Sequence, residues 1–373
     1  MKHRAVAFFR GALPIDRALA QHTLNRHNNF NLLRILAALA VLFSHCYPLT
    51  GNPTEPFAQL TGLTAGTIAV DTFFIISGFL VTTSLIKTAN IKVYLLSRAI
   101  RIFPALAVAA MFCVFVVGPI FTRLSLGEYF TDKLTYKHLL HNSTALFGLK
   151  FKLPGVFEGN VYPNAVNGSL WSLRWEIRLY LILALIGWVH FRWPHRFGPR
   201  GLKTVILALA VGAMSGYLVK YLGLAGTKGM NMSLHLTAMF FYGAALFCFQ
   251  HRVSLSARGM LIAVAAMALA VLDRQWFFVA YNLGLGYLVL CLAYLPGGVV
   301  RKFNAIGDYS YGIYIYAFPV QQSLMALHPG LEPIQLLATA TPVTLVLAML
   351  SWHLLEKPAL RIKKRWKPHA VTL

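Results

Sequence analysis

Two ionisable side chains in the first long apolar run, Arg34 and His45, stand in RILAALAVLFSH with ten residues between them. A charge inside hydrocarbon is costly, so each such residue is read first as functional. Eleven residues is close to three helical turns, which puts both side chains on one helix face about 16 Å apart along the axis. A histidine titrates near neutral pH and suits general-base work, the removal of a proton from an attacking hydroxyl. An arginine further along the same face suits a phosphate. The plain alternative for His45 is a polar residue at a helix end in the membrane interface.

The next apolar run contains DTFFIISGF. It places Asp71 in the outer half of a span and Ser77-Gly78 near mid-depth. Asp71 could orient an imidazole and stabilise its protonated form, and a lone carboxylate at this depth needs some partner. Ser77 could polarise a carbonyl oxygen or carry an acyl group, although a small Ser-Gly step also serves close helix packing. In SRAIRIFP, just before the third span, Arg98 and Arg101 are three apart and face the same way. They suit a phosphate, or simply anchor the helix at the cytoplasmic surface. Glu176, in GSLWSLRWEIRLY, is expected near the outer side, about level with His45. It is either a second carboxylate for the imidazole or an ion-pair partner of Arg174, Arg178 or another span. The candidate catalytic set is His45, Asp71, Glu176 and Ser77, and the candidate phosphate-binding set is Arg34, Arg98 and Arg101.

Other polar clusters carry less. His138 and His141 invite a metal, yet no third ligand stands nearby, so they are read as solvated loop residues and no metal is expected. His353 and Glu356 are read as structural, and Tyr309, Tyr311, Tyr314 and Tyr316 as packing at helical spacing. Cys46, Cys113, Cys248 and Cys291 all fall in apolar stretches without metal-ligand spacing and read as buried free thiols.

The elements that must position these residues follow from composition. The 373 residues are 57% hydrophobic and only 12% charged, with mean hydropathy +0.61. That excludes an ordinary water-facing globular protein, in which about a quarter of residues are charged. The reading is an all-α, polytopic integral membrane protein with about ten transmembrane helices. They span roughly 30–47, 63–86, 102–121, 170–190, 203–221, 232–250, 258–272, 276–295, 306–327 and 333–356. The excess of 34 Lys and Arg over 11 Asp and Glu would suggest nucleic acid in a soluble protein, but these cations lie between apolar segments. Assigned to alternate connections, 23 fall on one side and eight on the other, with Arg34, Arg174 and Arg178 inside spans. Short loops rich in Lys and Arg stay in the cytoplasm, so both termini are expected there. The organisation is a basic N-terminal tail (1–29), a membrane domain (30–356) with one long non-cytoplasmic loop (122–170), and a basic C-terminal tail (357–373). A loop of that length is usually functional or mobile.

A cationic inner mouth and a histidine with carboxylates near the outer end would suit a carrier such as coenzyme A, with phosphates at one end and a thioester at the other. The residues resemble acyltransferase family 3, the transmembrane acyltransferases, whose patterns are Arg or Lys, ten residues, then His; FFxxSG; and RxxR. Here they stand as Arg34 to His45, Phe73 to Gly78, and Arg98 to Arg101. The similarity extends to WSLRWEIRLY, to SYGIYIY from Ser310, and to Glu356-Lys357-Pro358. The resemblance implies a multi-pass enzyme of the bacterial inner membrane. Such an enzyme moves an acyl group, commonly acetyl from acetyl-CoA, to a hydroxyl of a cell-envelope or secreted carbohydrate or glycolipid. Many members carry a histidine seven residues after the Ser of the SY motif. Ala317 stands there in this chain, so that role is not transferred. A transporter or flippase for a lipid-linked substrate is the competing reading; it would be marked by an internal repeat, and none is seen.

Overall fold

The computed structural model describes residues 13–14, 28–198, 200–224 and 231–365. Most of the N-terminal tail, Lys228 and residues 366–373 of the C-terminal tail lie outside the described residues. Each of the ten apolar segments is helical: α1 Phe30–Leu49, α2 Ala65–Thr88, α3 Ile91–Phe121, α4 Trp171–Arg192, α5 Gly201–Tyr221, α6 Met232–Cys248, α7 Ala257–Ala270, α8 Arg274–Tyr294, α9 Ser310–Leu327 and α10 Pro333–Arg361. Among the described residues, six of them (α1, α2, α3, α5, α8 and α10) are long and apolar enough to cross a membrane. The count supported by length and composition is therefore six, against the ten expected. The apolar helices α6 and α7 are only 17 and 14 residues long. Arg174, Glu176 and Arg178 interrupt α4, while three tyrosines and Gln321-Gln322 lower the hydropathy of α9.

Helix limits follow local capping. The Thr64 hydroxyl accepts from the Thr67 N–H to start α2, which ends at Ala89 in the left-handed region. The Asn90 side chain then accepts from the Val93 N–H to start α3, so the two helices turn back within two residues. As a result α3 begins at Ile91 rather than near 102, and Arg98 and Arg101 lie inside the helix instead of before it. A π-helical stretch, Cys113–Val117, interrupts α3. The Tyr129 hydroxyl donates to the Val114 carbonyl there at 2.8 Å, satisfying a backbone group that the wider turn displaces.

The bundle is organised around α2. Gly78 packs on α6 so closely that a Cβ would overlap the Phe240 carbonyl oxygen, and a Cβ on Gly243 would overlap the Ile75 carbonyl oxygen. The two glycines thus admit each other's helix backbone. Helices α1 and α9 run parallel. Arg34 meets Asp308 just before α9, and farther along Gln321 donates to the Leu42 carbonyl at 2.8 Å. Asn29, preceding α1, donates its backbone N–H to Ala293 and its side chain to Leu292 and Pro296. Leu13–Pro14 pairs antiparallel with Ser254–Leu255. These contacts gather residues 13–14, the start of α1, the α6–α7 connection and the end of α8 on one side.

The 122–170 connection is folded. Its helices Leu126–Thr131 and Lys133–Thr144 are started by a Ser125/Glu128 capping box and by Asp132. Tyr129, Leu153, Val156, Phe157 and Val166 pack on the π-helical end of α3. His138 is buried, not solvated. Its Nδ1 lies 3.1 Å from the Lys152 carbonyl and its Nε2 3.0 Å from the Asn142 amide. Burial lowers its pKa to about 4, so it is a neutral brace within the loop.

Candidate active site

A cavity of about 320 Å³ collects side chains from six helices, α10 contributing Leu360. Arg34 enters from α1, Ser77 from α2, Arg98 and Arg101 from α3, Glu176 and Tyr180 from α4, and Tyr311 and Tyr314 from α9. The three arginines selected by spacing therefore share one wall with two of the candidate catalytic residues. Asp308, just before α9, joins them although no spacing motif in the sequence marks it. Its Oδ2 lies 2.5 Å from Arg101 and 3.4 Å from Arg34, and its Oδ1 accepts the Ser310 hydroxyl at 2.5 Å. The Arg101 and Arg34 guanidiniums and the Ser310 hydroxyl thus all face the Asp308 carboxylate. Glu356 also reaches Arg101 at 3.4 Å and accepts the Ser351 hydroxyl. It therefore belongs to the arginine cluster. Arg98 donates to the Ser97 hydroxyl and has no carboxylate within ion-pair distance among the described residues.

Ser77 donates to Glu176 Oε1 at 2.7 Å, and the Tyr180 hydroxyl donates to the same oxygen. Glu176 makes no ion pair with Arg174 or Arg178 among the described residues; Arg178 lies over the Trp175 ring instead. Nor is it level with His45. Trp171, at the start of α4, lines the cavity that holds His45. Glu176 is five residues farther along, about 7.5 Å deeper.

A second cavity, of about 200 Å³, holds His45, Asp71 and a second histidine, His235. The His45 ring stands edge-on to Phe318, centroids 5.2 Å apart, and its buried Nδ1 has no hydrogen-bond partner among the described residues. Asp71 is fully buried. Its oxygens face the Tyr281 hydroxyl at 2.7 Å and His235 Nε2 at 2.8 Å. Ser44, beside His45 in sequence, donates to Glu55 at 2.6 Å, and Glu55 also accepts the Ala65 N–H at the N-terminus of α2. A carboxylate is favourable at that positive helix end.

Tyr314 lines both cavities. Its hydroxyl donates to the Ser169 carbonyl at 2.5 Å and lies 2.6 Å from the Ser172 hydroxyl. The tyrosine run read as packing thus supplies the wall between an arginine-rich compartment and a histidine-containing one. Among the described residues no three His, Cys, Asp or Glu side chains converge as a metal site.

A sequence profile described as an acyltransferase domain matches residues 27–353. An O-acetyl transferase of Shigella phage Sf6 is 31% identical over 347 residues, covering 90% of this chain and 96% of the relative. Nodulation protein 10 of Rhizobium leguminosarum bv. viciae is 29% identical over 375 residues, covering 92% and 96%. The O-acetyltransferase OatA of Staphylococcus aureus is 24% identical over 327 residues, covering 79% of this chain and 53% of the relative. No solved structure matches the chain.

Proposed function

Because the chain belongs to the acyltransferase family whose domain profile spans residues 27–353, we propose that it transfers acetyl from acetyl-CoA to a hydroxyl of a cell-envelope or secreted carbohydrate. The observation that carries this reading is the pair of cavities meeting at Tyr314, one lined by arginines and the other by His45. Phosphates of the donor enter the inner compartment, where, among the described residues, Arg98 is the lining arginine without a carboxylate partner. Arg34 and Arg101, held by Asp308, form the fixed edge of that site. The pantetheine arm carries the thioester past Ser77 and Glu176 toward His45, over a distance comparable to the about 16 Å between Arg34 and His45.

His45 takes the proton of the acceptor hydroxyl as its oxygen attacks the thioester carbonyl. A C–O bond forms, the C–S bond breaks, and coenzyme A leaves as a thiolate that takes up a proton. Ser77, anchored by Glu176, orients the donor at the boundary. Ten helices cross the inner membrane in this arrangement, both termini are cytoplasmic, and the 122–170 segment faces away from the cytoplasm.

The test is incubation of membranes with acetyl-labelled acetyl-CoA. Alkali-labile label in the envelope carbohydrate is expected, and its absence contradicts the reading. A tag inserted at residue 155 reports orientation: it is expected to react with an impermeant reagent on intact spheroplasts, and protection there contradicts the assigned topology.

A further inference from the structure

His235 stands in none of the spacing motifs, yet it lines the same cavity as His45. It projects from the first turn of α6, whose start is fixed by Asn231 accepting the Ser233 and Leu234 N–H groups. Its ring stacks on Tyr217 of α5, with centroids 4.6 Å apart and planes 8° from parallel. Nε2 is 2.8 Å from Asp71 Oδ1, while Asp71 Oδ2 accepts the Tyr281 hydroxyl. All three residues are almost fully buried. A buried carboxylate requires a hydrogen on the nitrogen that faces it. Asp71 Oδ1 has no hydrogen-bond partner among the described residues, and Nε2 is the polar atom that faces it; with the ring hydrogen on Nε2, the neutral ring leaves a lone pair on Nδ1.

Satisfying Asp71 alone calls only for a donor at the Nε2 position, which an amide would provide. Histidine adds an acceptor on its other side, in a cavity whose walls also carry the hydroxyls of Ser44, Thr64 and Thr67. We propose that His235, held in one tautomer by Asp71 and Tyr281, binds the carbohydrate acceptor by accepting a hydrogen bond at Nδ1 from a hydroxyl beside the one that His45 deprotonates. This assignment rests on the acetyl-transfer reading and extends it to the acceptor side of the site.

Two isosteres separate this role from support of Asp71. In His235→Gln the side-chain amide replaces Nε2–H as donor to Asp71 but leaves nothing at Nδ1. In Asp71→Asn the Tyr281 hydroxyl still donates to the amide oxygen, which turns the NH₂ group toward His235 and moves the ring hydrogen to Nδ1. Each variant is measured in membranes with labelled acetyl-CoA and the endogenous envelope carbohydrate, alongside its melting in detergent. Both are expected to melt near wild type and to lose tenfold or more of carbohydrate labelling. Wild-type labelling by His235→Gln, or by Asp71→Asn should the first variant fail to fold, overturns the assignment and leaves His235 as Asp71's partner only. Absence of label in the wild type itself overturns the acetyl-transfer reading and this inference with it.

Discussion

Ser77 of α2 donates to Glu176 of α4 across 2.7 Å, a bond between residues 99 apart in sequence and below the level of His45. The bond places Glu176 beside Ser77 in the arginine-lined cavity. With Tyr180 donating to the same oxygen, it fixes a polar post in the wall of the arginine-lined compartment that Tyr314 also lines.

Glu176→Gln keeps the size of this post and removes its charge, whereas Ser77→Ala removes one of its two donors. A charge-assisted hydrogen bond contributes about 1.5–3 kcal/mol, so Glu176→Gln is expected to raise KM for acetyl-CoA at least tenfold. Ser77→Ala is expected to lower turnover less than tenfold. Loss of all transfer in Ser77→Ala, with label otherwise trapped on the wild-type protein, would make Ser77 a covalent carrier instead.

Asp308 joins the starts of α1 and α9 to α3 through Arg34 and Arg101. Asp308→Asn removes the charge that pairs with both arginines and is expected to cost about 2 kcal/mol at neutral pH. Melting in detergent checks this; a variant that melts with the wild type would contradict it.

In the 122–170 connection, burial holds His138 neutral, with its pKa lowered to about 4. A depressed histidine stabilises the fold above the unfolded value, near 6.5, and that stability is lost as pH falls toward the folded value. Protease cleavage within 122–170 is expected to accelerate between pH 6.5 and 4. His138→Gln, which has no charge to gain, is expected to show a flatter response. Equal acid sensitivity in both would place the acid-labile group elsewhere.

The sequence-derived reading and the structure agree where the signal is local. Apolar runs fall on ten helices, six of them long and apolar enough to cross a membrane among the described residues, and the spacing of Arg34, Arg98 and Arg101 brought three arginines to one cavity. Helix ends were less legible: the polar first turns of α3 hid its start at Ile91, so Arg98 and Arg101 were placed before a helix that contains them. Depth failed for Glu176 because the start of α4 at Trp171, not the charged WEIR segment, lies level with His45. Residues that act across the bundle carried no spacing signal at all. Asp308, Glu55 and His235 reach their partners through tertiary packing over long sequence separations or through loop folding. The scarcity of acids was the usable clue: with only 11 in the chain, each buried carboxylate marks a site that needs a counterpart.

The central claim is that His45 removes the proton of the accepting hydroxyl. Acetyl transfer from labelled acetyl-CoA to envelope carbohydrate, compared between wild type and His45→Ala at equal amounts of folded protein, tests it most directly. General-base catalysis contributes about 10²–10⁴-fold, so the variant is expected to lose at least a hundredfold of transfer while melting near wild type. Equal labelling by the two proteins would contradict the account.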